Sequence, residues 1–492
     1  MSSIKRIVSS TSSGILSNIS NFFFQIISVP IFLTYWPLEL YASWIIVLSL
    51  SIFASLPVFS YEEYCSQEFL KLGKKNKNEI SKIVFGSATI NFVYVIFLIF
   101  LFYFLSNKNY FILFFKIDSK LVEDTIIAFL IYFSIYIFSS INAIFIRCLY
   151  PFNYYPKIQW IGFFITFLVS ILQIFFVMHG VKLIGLAVIT CIIYNLHNVL
   201  LLIYLIFIFK KEKIIFKKFY FKSNFKHFCN SFYLLIGNFL DFFRSQGIRL
   251  ILGTKVGANQ LVGYTTTRTA SNFIVSFYNS IAEILKIELI GFINKNDRKS
   301  FNNLLVYIFF IFCFIISPCI YLIQFIAPEL FRIWTNDKIL YDPILFASLC
   351  MSTLLIIFYR PANIIIKGKN LFKIDLKISL ISIASLILLL LYFIETYKIR
   401  GIGYSLIIFE FVICAYNFYY AQKWLKENFF LIKKNLLLIG LLDLIFTFIS
   451  IFVFLKFGNF ISLIFFGSSK IFIFILFLKT YRMYSFKNLK IS

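Results

Sequence analysis

The chain is 492 residues long, 61% hydrophobic and only 14% charged, with a formal net charge of +26 at pH 7. A soluble domain of this length needs polar faces repeating at helical spacing, and stretches such as FVYVIFLIFLFYFL (residues 92–105) have none. The composition excludes a soluble protein and describes an all-α polytopic membrane protein.

Uncharged runs long enough to cross a hydrocarbon core of about 30 Å, at about 1.5 Å per residue, predict about 14 transmembrane helices. In chain order they are 14–34, 40–61, 84–106, 124–146, 159–178, 183–209, 231–253, 258–285, 302–327, 342–365, 374–394, 401–421, 435–455 and 459–478. Lys5 and Arg6 precede the first run and no small-residue cleavage site follows it, so this segment reads as an uncleaved signal anchor. Most Lys and Arg fall in the N-terminus, in every second connection and in the C-terminus, which predicts that both termini are cytoplasmic. The positive charge is mainly a topology signal, so no nucleic-acid partner is expected. The densest cluster, KKEKIIFKKFYFKSNFKH from Lys210 to His227, reads as a positive-inside loop, with binding of anionic lipid headgroups as the other reading.

Four regions follow: an N-terminal six-helix lobe over 1–209, a basic cytoplasmic loop over 210–230, a C-terminal six-helix lobe over 231–421, and two additional helices with a cytoplasmic tail over 422–492. No connection is long enough for a separate soluble domain. The longest outside connection, 107–123, carries Asp118 and Glu123 beside Lys108, Lys116 and Lys120 and reads as a solvated turn. The eight cysteines are scattered, with no CxxC and no histidine at ligand spacing, so neither a metal nor a disulfide framework is expected. No nucleophile motif, P-loop or Gly-rich dinucleotide loop appears, which excludes an ATP-driven pump on this chain and gives no enzyme reading.

The candidate site lies in the seventh and eighth segments, where Asp241, Arg244, Arg249, Arg268 and Glu283 interrupt otherwise apolar helix. An ionisable group inside the membrane is a functional-site hypothesis by default. In the eighth segment Arg268, Asn272, Ser276, Asn279 and Glu283 recur at helical spacing, within an arc of about 80°. One face of that helix is wet. Asp241 and Arg268 each lie roughly 15 Å deep by helical rise, so a buried ion pair that only fixes packing is the structural reading. Three arginines exceed the neighbouring acids, however, and leave room for an anionic cargo. The planar fork of arginine suits a diphosphate, because it donates two parallel hydrogen bonds and stays charged in a partly dry site. Lys377 near a helix end is expected to snorkel, and Lys470 to pair with Asp443 across the last two helices.

Three stretches resemble polysaccharide flippases. VPIFLTYWPLELYASWIIVLS (29–49) is similar to their first hairpin, with its LxxYWGxExYGxW pattern. RLILGTKVGANQLVGYTTTRTASNFIVSFYNSIAEILKIELIGFINKNDRK (249–299) is similar to their seventh and eighth helices, and LFRIWTNDKILYD (330–342) to the "WT" turn after helix nine. The family is the O-antigen and lipid-linked oligosaccharide exporters of the multidrug/oligosaccharidyl-lipid/polysaccharide superfamily. The resemblance implies a V-shaped transporter of two six-helix lobes. By alternating access it would move an undecaprenyl-diphosphate-linked repeat unit, for O-antigen, lipopolysaccharide or another surface polysaccharide, from the cytoplasmic to the periplasmic leaflet of a bacterial inner membrane. It implies a cationic cavity, with Arg268 at the matching "RT" position and Arg249 before the "LG". Membrane lipids and polysaccharide polymerase or other biosynthetic proteins are the partners it suggests. No cofactor is expected, with H⁺ or Na⁺ coupling through Glu283 or Asp241 as an option. The chain departs from the family at PVFSYEEY (57–64), where relatives carry an acidic-Gly turn; Glu62 and Glu63 there sit at a predicted cytoplasmic helix end, where solvation is the simple reading. Two other functions stay open: a drug or organic-cation antiporter of the same fold, which the arginine excess disfavours, and a membrane polysaccharide polymerase or ligase, which the short outside loops disfavour.

Overall fold

The computed structural model describes residues 3–480, apart from 75, 106–118, 153, 215–220, 256, 273–274, 276–277, 279–287, 294–295 and 370. Among the described residues every long element is a helix. In chain order they are α1 (Ser3–Tyr35), α2 (Leu38–Leu72), α3 (Lys77–Leu105), α4 (Ser119–Cys148), α5 (Tyr155–Met178) and α6 (Leu183–Glu212). α7 runs from Phe221–Phe242 through a π turn, Phe243–Gly247, into Ile248–Lys255, and α8 is described as Ala258–Ser271. α9 joins Arg298–Ile311 to Ser317–Thr335 through a second π turn, Phe312–Ile316. α10 is Pro343–Gly368, α13 is Lys434–Phe457 and α14 is Asn459–Thr480. Between α10 and α13 the run Phe372–Glu427 contains α11 and α12, which meet at Lys398, where φ is 52°.

Where its residues are described, each predicted segment falls on helix, the second half of 258–285 lying largely outside them, and ten described stretches are long and apolar enough to span a membrane. The observed helices are longer than the apolar runs because charged turns at their ends remain helical. α2 continues to Leu72, about eleven residues beyond its predicted end, so Glu62 and Glu63 lie within the helix rather than at its end. The apolar surface points outward: Phe207 is 67% exposed, Leu388 68% and Phe460 77%. In water such a surface is untenable, whereas in hydrocarbon it is solvated.

Two compact units make up the chain, Met1–Thr266 with Thr335–Ile339, and Thr267–Trp334 with Leu340–Ser492. In unit 1, α2 packs on α4 and α7, and α4 on α6. Tyr61, Cys65, Phe69, Ile80, Val84, Ile144 and Leu205 form a buried core there. The first flippase-like stretch is structural: Trp36 and Trp44 are buried, and the Trp36 Nε1–H donates to the Val181 carbonyl at 2.9 Å, tying the α1–α2 turn to the α5–α6 turn. The "WT" turn docks on the same place. Asn336, in the left-handed region at φ 51°, donates to the Thr34 hydroxyl at 3.0 Å, and Lys338 donates to the Leu33 carbonyl.

In unit 2, α11 and α12 form a tight hairpin, in which the Ser405 hydroxyl donates to the Leu389 carbonyl at 3.0 Å. Gly401 makes the turn feasible, since a Cβ there would stand 2.0 Å from the Phe393 carbonyl oxygen. Arg400 at this turn reaches Asp342 at 2.7 Å, and Asp342 caps α10 by accepting from the Ile344 and Leu345 amides. An aspartate at the N-cap satisfies amides that the first helical turn leaves orphaned.

Candidate functional site

Polar groups on α7 face α2 along much of its length. Asn230 donates to Tyr64 at 3.2 Å, Asn238 to the Ser60 hydroxyl and to Glu63 at 3.0 Å each, and Ser49 donates to Gln246 at 3.1 Å. The pairing runs antiparallel, as the predicted alternation of segments requires. The seam ends at Arg249, whose Nη1 donates to the same Gln246 oxygen at 2.9 Å. Gln246, held by Ser49 of α2, therefore orients Arg249; Gln246 lies in the π turn that also contains Arg244, and Arg249 follows it. A π turn shifts the register of the side chains that follow it and is common at functional sites.

The predicted site residues divide between the two units. Asp241, Arg244 and Arg249 belong to unit 1, and Arg268 and Asn272 to unit 2. Arg244 and Arg249 are half-buried, and Arg268 is 7% exposed, embedded in the buried run Thr265–Thr269 of α8. The Arg268 carbonyl accepts from the Ser271 hydroxyl at 3.0 Å and the Asn272 amide at 2.9 Å, which closes the last described turn of α8. The Asp241 side chain, Ser276, Asn279 and Glu283 lie outside the described residues. The pairing of Asp241 with Arg268 and the wet stripe of the eighth segment therefore remain expectations.

Reading the sequence missed an ion pair. Glu62 on α2 and Arg147 on α4 approach to 3.5 Å, with side chains only 4% and 13% exposed. Both stand one residue beyond a predicted segment end, on the same side of the membrane, and that matched depth was the signal. Glu62 is buried because α2 does not end there, which corrects the expectation of a solvated glutamate. The pair borders a cavity of about 320 Å³ between α2, α3 and α4. The Arg147 guanidinium also lies over the Phe59 ring, 5.2 Å from its centroid. Arg360, inside α10, is a further intramembrane arginine missing from the predicted set; it is half-buried, and its charge acts on Tyr278.

The expected partner of Lys470 is present. Lys470 on α14 contacts Asp443 on α13, both also meet Ser317 of α9, and Lys470 donates to the Cys313 carbonyl at 3.1 Å. The π turn prepares this contact. The Ser317 amide bonds the Phe312 carbonyl, and Pro318 has no N–H, so the Cys313 carbonyl is left for the Ser317 hydroxyl and Lys470 to satisfy. The network ties three helices together and reads as structural. Lys377 is exposed and lies over the Tyr420 ring at 5.7 Å, as snorkelling predicts. All eight cysteines are free, and among the described residues no three His, Cys, Asp or Glu side chains are grouped to hold a metal.

No family model matches the chain, and no curated protein matches it. Solved structures do. A structure described as lipid II flippase MurJ in an inward closed conformation aligns over 97% of this chain and 99% of its own, at 19% identity and a TM-score of 0.58. An inward-facing multidrug resistance MATE family transporter of the MOP superfamily aligns over 84% and 95%, at 12% identity and a TM-score of 0.62. The Vibrio cholerae MATE transporter VcmN aligns over 88% and 98%, at 12% identity and a TM-score of 0.58. These neighbours are a flippase and transporters, and at such identities the likeness is one of fold. The chain therefore shares the fold of these neighbours, an all-α, multi-pass membrane fold.

Proposed function

We propose that the protein is a flippase for an undecaprenyl-diphosphate-linked oligosaccharide, carrying the repeat unit of O-antigen or another surface polysaccharide from the cytoplasmic to the periplasmic leaflet by alternating access. The observation that carries this reading is the set of arginines inside apolar helices of a MOP-type fold, above all buried Arg268 and the Gln246-oriented Arg249. Moving an unshielded diphosphate through hydrocarbon is prohibitive, and a protein path supplies the missing solvation. The guanidinium groups of Arg244, Arg249 and Arg268 would hold phosphate oxygens in this scheme. Asn272, Ser276 and Asn279 would line the path, and Asp241 and Glu283 would balance charge or carry a coupling H⁺ or Na⁺. The protein would reside in a bacterial inner membrane with both termini cytoplasmic, beside polysaccharide polymerase and its partners.

A second reading, export of organic cations, has the MATE neighbours in its favour and the arginines against it. One experiment separates the two. Depletion in the host should leave complete, single lipid-linked repeats on the cytoplasmic leaflet. An unchanged lipid pool together with new drug sensitivity would transfer the assignment to the exporter, and single repeats that reach the outer leaflet without lengthening would indicate a polymerase.

A further inference from the structure

The Glu62–Arg147 cavity is separate from the predicted site residues and lies wholly within unit 1. We propose that it binds one neutral sugar ring, and the flippase reading above supplies the source, the glycan of the lipid-linked cargo. Glu62 is 3% exposed, and its Oε1 has no hydrogen-bond partner. At 3.5 Å its contact with Arg147 is one of charge, and among the described residues neither side chain makes a hydrogen bond to the other. Glu62, which lines the cavity, thus carries an unsatisfied acceptor beside a guanidinium with donors to spare, and a buried acceptor left in that state is costly. A ligand that both donates and accepts at adjacent positions satisfies both, and vicinal hydroxyls do so.

Three further features narrow the class. The two charges of the wall cancel, so the site selects against a net charge on the ligand, unlike the arginine-rich α7 and α8. Phe133 and Tyr136 line the cavity and offer apolar faces for the C–H side of a sugar ring, while Ser139, whose hydroxyl accepts from Asn198 at 3.1 Å, adds a polar group to the lining. Its volume of about 320 Å³ lies at the small end of ligand cavities, which suits a single ring rather than a drug-sized molecule. Arg147 is held in place by the Phe59 ring, which also lines the cavity, so the donor is positioned before any ligand arrives.

The test uses full-length protein in lipid nanodiscs and saturation-transfer NMR with neutral hexoses and N-acetylhexosamines. Wild type should show transfer to the sugar. Glu62→Gln should weaken binding about tenfold or more, because a neutral amide oxygen replaces the charged acceptor and the hydrogen bond loses its charge assistance. Because that variant leaves Arg147 buried without its counter-charge, Ala143→Leu serves as the second: it fills the cavity and keeps the ion pair. Loss of sugar binding in Ala143→Leu with an unchanged melting temperature supports the site. No transfer in wild type, or equal binding in wild type and Ala143→Leu, overturns it. The source is decided by competition: a short-chain polyprenyl-diphosphate-linked sugar should displace the free sugar, and failure to displace it would assign the cavity to free sugars. A proteoliposome assay keeps the two proposals apart. If wild type and Ala143→Leu both translocate the lipid-linked glycan at equal rates, the flippase reading stands and the cavity reading falls. If wild type binds sugar but translocates no lipid-linked glycan, the flippase reading falls.

Discussion

Lys470 and Asp443 are opposite charges inside apolar helices, and each is the other's reason for being tolerated there. Removing one partner strands a buried charge, so Lys470→Met or Asp443→Leu alone should cost about 3–5 kcal/mol, read as lost thermal stability in detergent. The double variant should recover most of that loss; if it is as unstable as the singles, the pair is not the unit that matters. Arg268 belongs to a different class, being a buried arginine that stands at the "RT" position of the flippase-like stretch. Arg268→Ala should abolish transport while protein level and membrane insertion persist, and Arg268→Lys should rescue in part, since it keeps the charge and loses the fork. Full transport by the Ala variant would remove Arg268 from the cargo path. The pairing of Lys470 with Asp443 was legible because both stand mid-segment in runs of unambiguous hydrophobicity. Glu62 and Arg147 were not, because each follows the last apolar residue of its run and only the packing of α2 on α4 shows them buried.

Among the elements, the α11–α12 hairpin depends on one glycine. Gly401→Ala places a Cβ against the Phe393 carbonyl, and backbone cannot rotate away as a side chain would. The substitution should cost about 1–3 kcal/mol in stability, the range for overpacking, and melting temperature is the readout. A neutral outcome would mean that the hairpin opens readily at Lys398. The two π turns make a related point. Hydrophobic periodicity marks α7 and α9 as helices, but one extra residue per turn leaves no mark in that pattern. Only the Ser317–Pro318 pair hinted that a carbonyl would go without its amide. The turn at Phe243–Gly247 sets the register of Gln246 and Arg249 and so decides which neighbour they meet.

For the whole molecule, exposed side chains such as Phe460 and Phe207 reverse the soluble arrangement and require lipid around both units. The distribution of basic residues predicts the orientation. A phosphatase reporter fused after Ser492 should be inactive, and one inserted into the 179–182 connection should be active. The opposite pattern would invert the topology and with it the direction of transport. The seventh segment packs on α2 within unit 1. Hydropathy cannot assign a helix to a lobe, because lipid-facing and lobe-facing surfaces are equally apolar.

Composition and charge order alone determined that this chain is a helical, multi-pass membrane protein, where its helices lie and which intramembrane charges merit attention. Those properties are local, depending on run length, hydropathy and the charge of short connections. Which charges meet was decided by the tertiary structure. Gln246 joins Arg249 to α2, Cys313 turns a spare carbonyl toward Lys470, and Glu62 and Arg147 border one cavity. The reason is physical: a side chain's partner across a helix interface depends on rotation and register, and a single π turn changes both without altering the hydrophobic pattern.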